Sequence, residues 1–418
     1  MNLRIRLIVL NFLEFAIWGS YLTSMGSYLA SAGMGPNISY FYSAQGFVSL
    51  FMPALMGIVA DRWVPAQKLV SFCHFIAGVS MVSAGFYGYY AGDEVQFFTL
   101  FCLYLLNVAF FMPTIALTNA VAYNALEKSG MDTVKTFPRI RVFGTIGFIL
   151  TMIAVDLAGL QKTSGQFLVS GCISLVMCLY ALTLPNCPTN RFPSKKGLVD
   201  VLGLRAFTLF KQRQMAIFFI FAFLLGAALQ ITNGYANPFI SSFAQIPEYA
   251  HTFGVQHANI LISLSQASEA LCILLIPFFL KRYGIKVVMM IAMFSWVLRF
   301  GFFGMGNPGE GVWLFILSML VYGVAFDFFN ISGSLFVDKM TDSSTRSSAQ
   351  GLFMLMTNGL GASIGTLCAG AVVNHWVYSQ PIELQQAGWQ SAWYVFAAYA
   401  LIVLVAFYFL FQFKHDNK

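Results

Sequence analysis

Four sets of polar residues interrupt the apolar runs of this chain, each at a spacing that places it on one helical face. Arg141, Thr145 and Phe148 stand at i, i+4 and i+7. Gln230 and Asn233 stand at i, i+3, as do Gln266 and Glu269, and Tyr322 pairs with Phe326 at i, i+4 with Asp327 adjoining. Together they offer a guanidinium, a hydroxyl, amides, carboxylates and aromatic rings in apolar surroundings. That chemistry suits a flat, uncharged, hydrogen-bonding ligand, with rings against its faces and amides paired to its edges. No nucleophile–base pair and no metal-ligand spacing accompanies these residues, so neither catalysis nor a metal or organic cofactor is expected. Plainer readings exist. Arg141 and Asp327 could form a buried structural ion pair, and Glu269 beside Gln266 could be a neutral acid tying helices together.

Ionisable groups deep in apolar runs need a reason, because each costs roughly 2.5–3.5 kcal/mol on insertion scales. Those groups are Glu14, Arg141, Glu269, Arg299 and Asp327. Glu14 shares its run with Trp18, Ser20, Tyr21 and Thr23 and is a candidate cavity-lining residue. Arg299 lies towards the outer end of its run and is expected to snorkel, a structural role. His74 reads as a packing or surface group. The seven Cys are scattered with no disulfide framework and read as small core hydrophobes.

The elements that must position these groups follow from composition. Of 418 residues, 58% are hydrophobic and 9% charged, and the mean hydropathy is +0.74. A soluble domain carries about 25% charged residues, so a soluble enzyme is excluded, as is disorder, which needs the opposite composition. A lipid bilayer is the solvent. Helices crossing about 30 Å of hydrocarbon need about 20 apolar residues, and candidate spans fall near 5–31, 40–60, 66–91, 96–126, 138–160, 164–184, 214–242, 256–280, 285–305, 311–337, 347–374 and 389–413. The apolar part of the first is too long for a cleaved leader, and no small-residue cleavage site follows it. With these spans, every Lys and Arg except Lys162, Arg141 and Arg299 falls on one face. The positive-inside rule makes that face, and both termini, cytoplasmic. The net charge of +7 thus belongs to topology, and no nucleic-acid partner is needed.

A proline-rich, basic stretch with Pro185, Pro188, Pro193 and Lys195-Lys196 divides the spans six and six. The expected organisation is an N-terminal bundle over 1–185, a cytoplasmic linker over 186–213 and a C-terminal bundle over 214–418. Weak self-similarity supports a repeat. Val108-Ala109-Phe110 recurs as Val324-Ala325-Phe326, and Asp61-Arg62-Trp63 is echoed by Lys281-Arg282-Tyr283. Such halves are what many secondary transporters use, with the ligand near the midplane.

Specific strings point further. Pro53-Ala54-Leu55-Met56-Gly57-Ile58-Val59-Ala60-Asp61-Arg62-Trp63 resembles the loop signature after the second helix of the major facilitator superfamily, although Val64-Pro65-Ala66-Gln67-Lys68 departs from its usual continuation. Trp18-Gly19-Ser20-Tyr21-Leu22-Thr23, Phe143-Gly144-Thr145-Ile146-Gly147-Phe148, Leu229-Gln230-Ile231-Thr232-Asn233 and Ala325-Phe326-Asp327-Phe328-Phe329-Asn330-Ile331-Ser332-Gly333 resemble bacterial permeases of the nucleoside:proton symporter family. The resemblance runs through nearly the whole chain.

It implies an all-α membrane protein of the major facilitator fold, with twelve transmembrane helices in two pseudo-repeated halves. It also implies a multi-pass monomer of the bacterial inner membrane that takes up purine and pyrimidine nucleosides, such as uridine and adenosine, with protons. Under it, Arg141, Thr145, Phe148, Gln230, Asn233, Gln266, Glu269, Tyr322 and Phe326 would hold the nucleoside in a central cavity between halves that rock about it. Asp327 or Glu269 would carry the proton, and Asp61 and Arg62 would act as a cytoplasmic latch. Glu14 departs from the family, whose best-known members carry Gln there, and its part in coupling stays open. Two alternatives remain: a proton-coupled sugar or oligosaccharide carrier of the same fold, and a membrane nucleoside sensor that does not transport. Competition by free sugars but not by nucleosides would select the first, and binding without substrate-dependent pH change the second.

Overall fold

The computed structural model describes residues 2–187, 189, 204–342 and 345–413. Most of the expected linker, with Pro188, Arg191, Pro193 and the Lys195–Lys196 pair, lies outside these residues, as do Lys414 and Lys418. Among the described residues the chain is helical throughout, and nine helices are long and apolar enough to cross a membrane. They are joined by the shorter apolar helix Gly165–Ala181 and by Leu3–Gly19, which continues after a turn as Met25–Ser31. The 48-residue helix Ala258–Met305 supplies two crossings. The spans are therefore twelve. The first is Leu3–Gly19 with Met25–Ser31, and Ile38–Arg62, Ala66–Ala91, Phe97–Lys128, Thr133–Leu157 and Gly165–Ala181 form the second to sixth. Arg213–Ser242 is the seventh, and Ala258–Met305 is the eighth and ninth. Val312–Met340 is the tenth, the segment Ser348–Tyr378 the eleventh, and Ile382–Leu410 the twelfth.

Two departures from the expected spans, in the first and the eleventh, have local causes. The first span is not one helix. Residues 20–24 form turns, where Ser20 Oγ donates to the Ile17 carbonyl at 2.7 Å and Ser24 Oγ to Gln166 Oε1 of the sixth span at 2.9 Å. Small hydroxyl side chains compete with the helix for its backbone partners, and a cluster of them opens it. The eighth and ninth spans part within the expected gap after Lys281-Arg282: the helix breaks at Gly284, at φ +75°, a conformation open to glycine without steric cost. The eleventh span widens into π-helix at Leu355–Gly361 and again at Asn374–Tyr378. Prolines 53, 113, 138, 238 and 277 lie inside helices. Each removes one backbone donor, which membrane helices tolerate when neighbours or local adjustments satisfy the freed carbonyl.

Contacts divide the chain into two compact units, Met1–Gly197 and Leu198–Lys418. Within each unit the same pairings recur. First and fifth, second and fourth, and third and sixth spans pack together in the N-terminal unit. Seventh and eleventh, eighth and tenth, and ninth and twelfth do so in the C-terminal unit. Glycines set the first of these pairings in both. A side chain at Gly147 would run into the backbone of Phe12, and one at Gly226 into the backbone of Thr357. Small residues permit such backbone approach, which drives helix association where lipid tails leave no hydrophobic incentive.

Gly147→Leu should therefore separate the first and fifth spans and destabilise the protein by about 1–3 kcal/mol or more through overpacking. Thermal unfolding of the detergent-purified variant checks this, with Gly57→Ala, where a Cβ meets nothing within 4 Å, as the control that stays near wild type.

Candidate functional site

In the N-terminal unit the fifth span carries Arg141, Thr145 and Phe148 up one face, towards the first span. The Arg141 guanidinium lies 3.8 Å over the Phe15 ring, an arrangement in which the ring quadrupole attracts the cation. Phe148 is buried, and its ring meets that of Trp18 edge-on at 6.5 Å. Thr145 between them is part-exposed. The first span thus supplies two aromatic supports, Phe15 and Trp18, one turn apart, that fix where the cation and the ring of the fifth span stand.

In the C-terminal unit the tenth span presents a ledge of two parallel rings. Tyr322 and Phe326 stack at 5.8 Å with an interplanar angle of 3°. Behind the ledge Trp296 meets Tyr322 edge-on at 6.2 Å, and the Arg299 guanidinium sits 4.6 Å over the same ring. Arg299 does not snorkel. It is 2% exposed and donates from Nη1 to the Ser318 carbonyl at 2.6 Å and to Ser265 Oγ at 3.3 Å. Its position inside a helix bundle, rather than at a lipid face, removes the water that snorkelling requires.

Amides and carboxylates gather beside this ledge. Asn233 Nδ2 donates to Gln230 Oε1 at 3.2 Å, so the seventh span offers a pre-oriented pair. On the eighth span Ser265 and Ser268 hydrogen-bond to the tenth span, Ser265 Oγ to Met319 Sδ and Ser268 Oγ to the Leu320 carbonyl. Gln266 and Glu269, on the adjoining stripe, are part-exposed. The charges of Glu269 and Asp327 both act on Tyr322, and Glu269 acts on Asp327, so the two acids share one locality. Asp327 is 6% exposed, and its Oδ2 is a buried oxygen without a hydrogen-bond partner. Among the described residues this carboxylate oxygen has an open acceptor, one that a proton or a ligand group would satisfy.

Sequence reasoning passed over part of this unit. A small hollow of about 20 Å³ is lined by Trp296, Phe326, Asn330, Thr357 and Asn358 among others. Thr357 and Asn358 belong to the first π-helical segment of the eleventh span, and such segments are frequent at functional sites. The run Thr357-Asn358-Gly359 inside an apolar stretch was the available signal. In the N-terminal unit Glu14 and His74, left apart by sequence, are bonded to one another. Three cysteines, at 102, 172 and 368, are exposed rather than core, as span residues facing lipid can be. Asp61 and Arg62 are exposed at the C-terminal end of the second span, where a cation suits the helix dipole.

Comparison with known proteins adds to this geometry. Residues 1–416 match the model of a family described as nucleoside H+ symporter. The chain belongs to the nucleoside H+ symporter family. It is 47% identical over 422 residues to a xanthosine permease of Escherichia coli (strain K12), with 100% of this chain and 98% of that one covered. It is 44% identical over 418 residues to the nucleoside permease NupG of the same organism, covering 99% and 97%. A crystal structure of the nucleoside transporter NupG superposes with a TM-score of 0.90, covering 99% of this chain and 100% of that one. The chain therefore has the major facilitator architecture that the resemblance implies, and membership of a symporter family makes it a membrane transporter and not an enzyme.

Within this nucleoside H+ symporter family member, the Gln230–Asn233 pair is the part of the polar face most directly testable. Gln230→Ala should weaken nucleoside binding by about 1–3 kcal/mol, the usual cost of leaving a buried partner unpaired. Calorimetry or scintillation proximity binding on purified protein would show it, and unchanged affinity would remove Gln230 from the site.

Proposed function

We propose that this protein imports nucleosides together with protons by alternating access, across the cytoplasmic membrane of a bacterium, as a monomer with both termini on the cytoplasmic side. Its substrates are purine and pyrimidine nucleosides, uridine and adenosine among them. A nucleoside is flat at its base, rich in hydroxyls at its ribose and uncharged, which matches rings, amides and hydroxyls better than a cluster of fixed charges would. Arg141, Thr145 and Phe148 form the recognition face of the N-terminal unit. Gln230, Asn233, Gln266, Glu269, Tyr322 and Phe326 form that of the C-terminal unit, in which the Tyr322–Phe326 ledge receives the base and the amides read its edges or the ribose. Asp61 and Arg62 act as a latch at the cytoplasmic end of the second span. The basic residues gathered on one side of the spans support the orientation.

The observation that carries the reading is the orphaned Oδ2 of Asp327 beside Glu269. Two carboxylates in one apolar locality do not both ionise readily, since each charge disfavours the other. A proton on Asp327 or Glu269 relieves that repulsion, and a water-filled or substrate-loaded face alters it. The coupling ion thereby gains a place whose occupancy depends on the transport state, with no other cofactor required.

Uptake of labelled uridine and adenosine into cells, with and without a protonophore, tests the whole reading. Accumulation should collapse when the proton gradient is dissipated. Asp327→Asn should abolish accumulation against a gradient while protein remains in the membrane at wild-type amounts, as judged by immunoblot. Full concentrative uptake in that variant would remove Asp327 as the coupling group.

A further inference from the structure

Glu14 and His74 are the most completely enclosed acid and base among the described residues, at 1% and 0% exposure, and neither belongs to the faces described above. Their placement joins four spans of the N-terminal unit. Glu14, on the first, has Oε2 3.0 Å from Nε2 of His74 on the third. From the fourth span, Thr114 Oγ1 reaches Glu14 Oε1 at 2.6 Å and Thr118 Oγ1 reaches Oε2 at 3.1 Å. On the far side of the ring, His74 Nδ1 lies 3.1 Å from Ser174 Oγ of the sixth span, and the same hydroxyl lies 3.0 Å from the His74 carbonyl.

Counting hydrogens in this cluster gives two arrangements. Ser174 has one hydroxyl hydrogen and two acceptors within reach. If it donates to the His74 carbonyl, its lone pair faces Nδ1, which must then carry a hydrogen. The gap between Nε2 and Oε2 then needs a proton too, either on the ring beside a carboxylate or on Glu14 beside a neutral ring. Without it two lone pairs would face each other. If Ser174 turns to donate to Nδ1, the ring is neutral with its hydrogen on Nε2, pointing at an ionised Glu14, and the cluster holds one proton fewer. The His74 carbonyl lies within a helix and keeps its backbone partner. Thr114 keeps its hydrogen on Glu14 Oε1 in both arrangements. Every polar side-chain atom of the cluster is thus bonded both with and without the extra proton, and rotation of the Ser174 hydroxyl interconverts the states. A merely structural ion pair has no use for a second satisfied arrangement.

Other charges leave the proton to this pair. The first span has Arg4 and Arg6, at least eight residues and so about 12 Å along the helix from Glu14. The third has Cys73, whose thiol feels the Glu14 charge, and Lys68 at its start. The fourth has Tyr104 more than two turns from Thr114, with Glu127 and Lys128 at its end. The fifth has Arg141, which lies over Phe15, and the sixth has Cys172, Cys178 and Tyr180. Among the described residues the ion pair recorded for Glu14 is with His74.

We propose that Glu14 and His74 form a binding site for one exchangeable proton inside the N-terminal unit, separate from the Glu269–Asp327 acids of the C-terminal unit. Glu14 immediately precedes Phe15 and lies one turn before Trp18 on the same helix, the rings that carry Arg141 and abut Phe148. The proton therefore sits directly behind the N-terminal recognition face, on the helix that positions it. The site rests on its own geometry. Only the use of its proton in transport rests on the reading above.

The test is a titration of the full chain in detergent, without substrate, following the 13C and 15N signals of the His74 ring and the Glu14 carboxyl from pH 5 to 9. His74→Gln assigns the ring signal among the five His of the chain. One group should change protonation within this range, and replacing the other should displace that transition by at least one pH unit, a tenfold change in proton affinity. No transition at either group in the wild-type protein overturns the proposal whether or not the variants fold. A transition unmoved by replacing the partner overturns it as well. Uptake assays do not enter this result, so loss of the transport reading and loss of this site are told apart.

Discussion

The constraint on which the rest of this structure depends is the absence of water inside a bilayer. A backbone or side-chain polar group there must find a partner within the protein, because nothing else will hydrogen-bond to it. Helices satisfy the backbone, which is why the described chain is helical throughout. The side chains are satisfied by short, deliberate contacts between spans: Ser24 to Gln166, Ser265 and Ser268 to the tenth span, Arg299 to Ser318 and Ser265. Against that background, the few polar atoms left incomplete or doubly provided stand out as places where the molecule exchanges something with its surroundings.

The two units answer the same constraint differently. In the C-terminal unit the acids sit beside stacked rings, an amide pair and a hollow, and one carboxylate oxygen lacks a partner. That arrangement fits groups that meet substrate and proton in turn. In the N-terminal unit the acid is bonded by a histidine and two threonine hydroxyls, and the histidine in turn by Ser174. The cation of that unit's polar face, Arg141, lies over an aromatic ring, Phe15. A buried cation also stands behind the C-terminal ledge, where Arg299 covers Tyr322. Polar function is thus concentrated where glycine-mediated packing has already fixed the helices.

Much of this was legible in the sequence, for a simple reason. Hydrocarbon thickness sets span length, Lys and Arg placement records topology, and a helical repeat of 3.6 residues places Arg141, Thr145 and Phe148, or Tyr322 and Phe326, on one face. These are one-dimensional signals, and the spans and the polar faces follow from them. The strings around Thr145, Gln230 and Asp327 carried the family itself. Gly144 and Gly147 announced a close helix approach, and the first span is where they meet it.

What the sequence could not supply was which spans become neighbours, since that depends on contacts between residues far apart in the chain. Glu14 and His74 lie 60 positions apart, so neither hinted at the other. Arg299 sits near a span end by count, yet its burial was settled by the eighth and tenth spans closing over it. The break after Gly19, the turn at Gly284 and the π-helical stretch around Thr357 likewise depend on competition between local hydrogen bonds and packing from other helices. The sequence determined a twelve-span transporter and the faces it could use. Tertiary packing alone decided which buried charges share a partner, because desolvation is relieved by the atoms that surround a group and not by its neighbours in the chain.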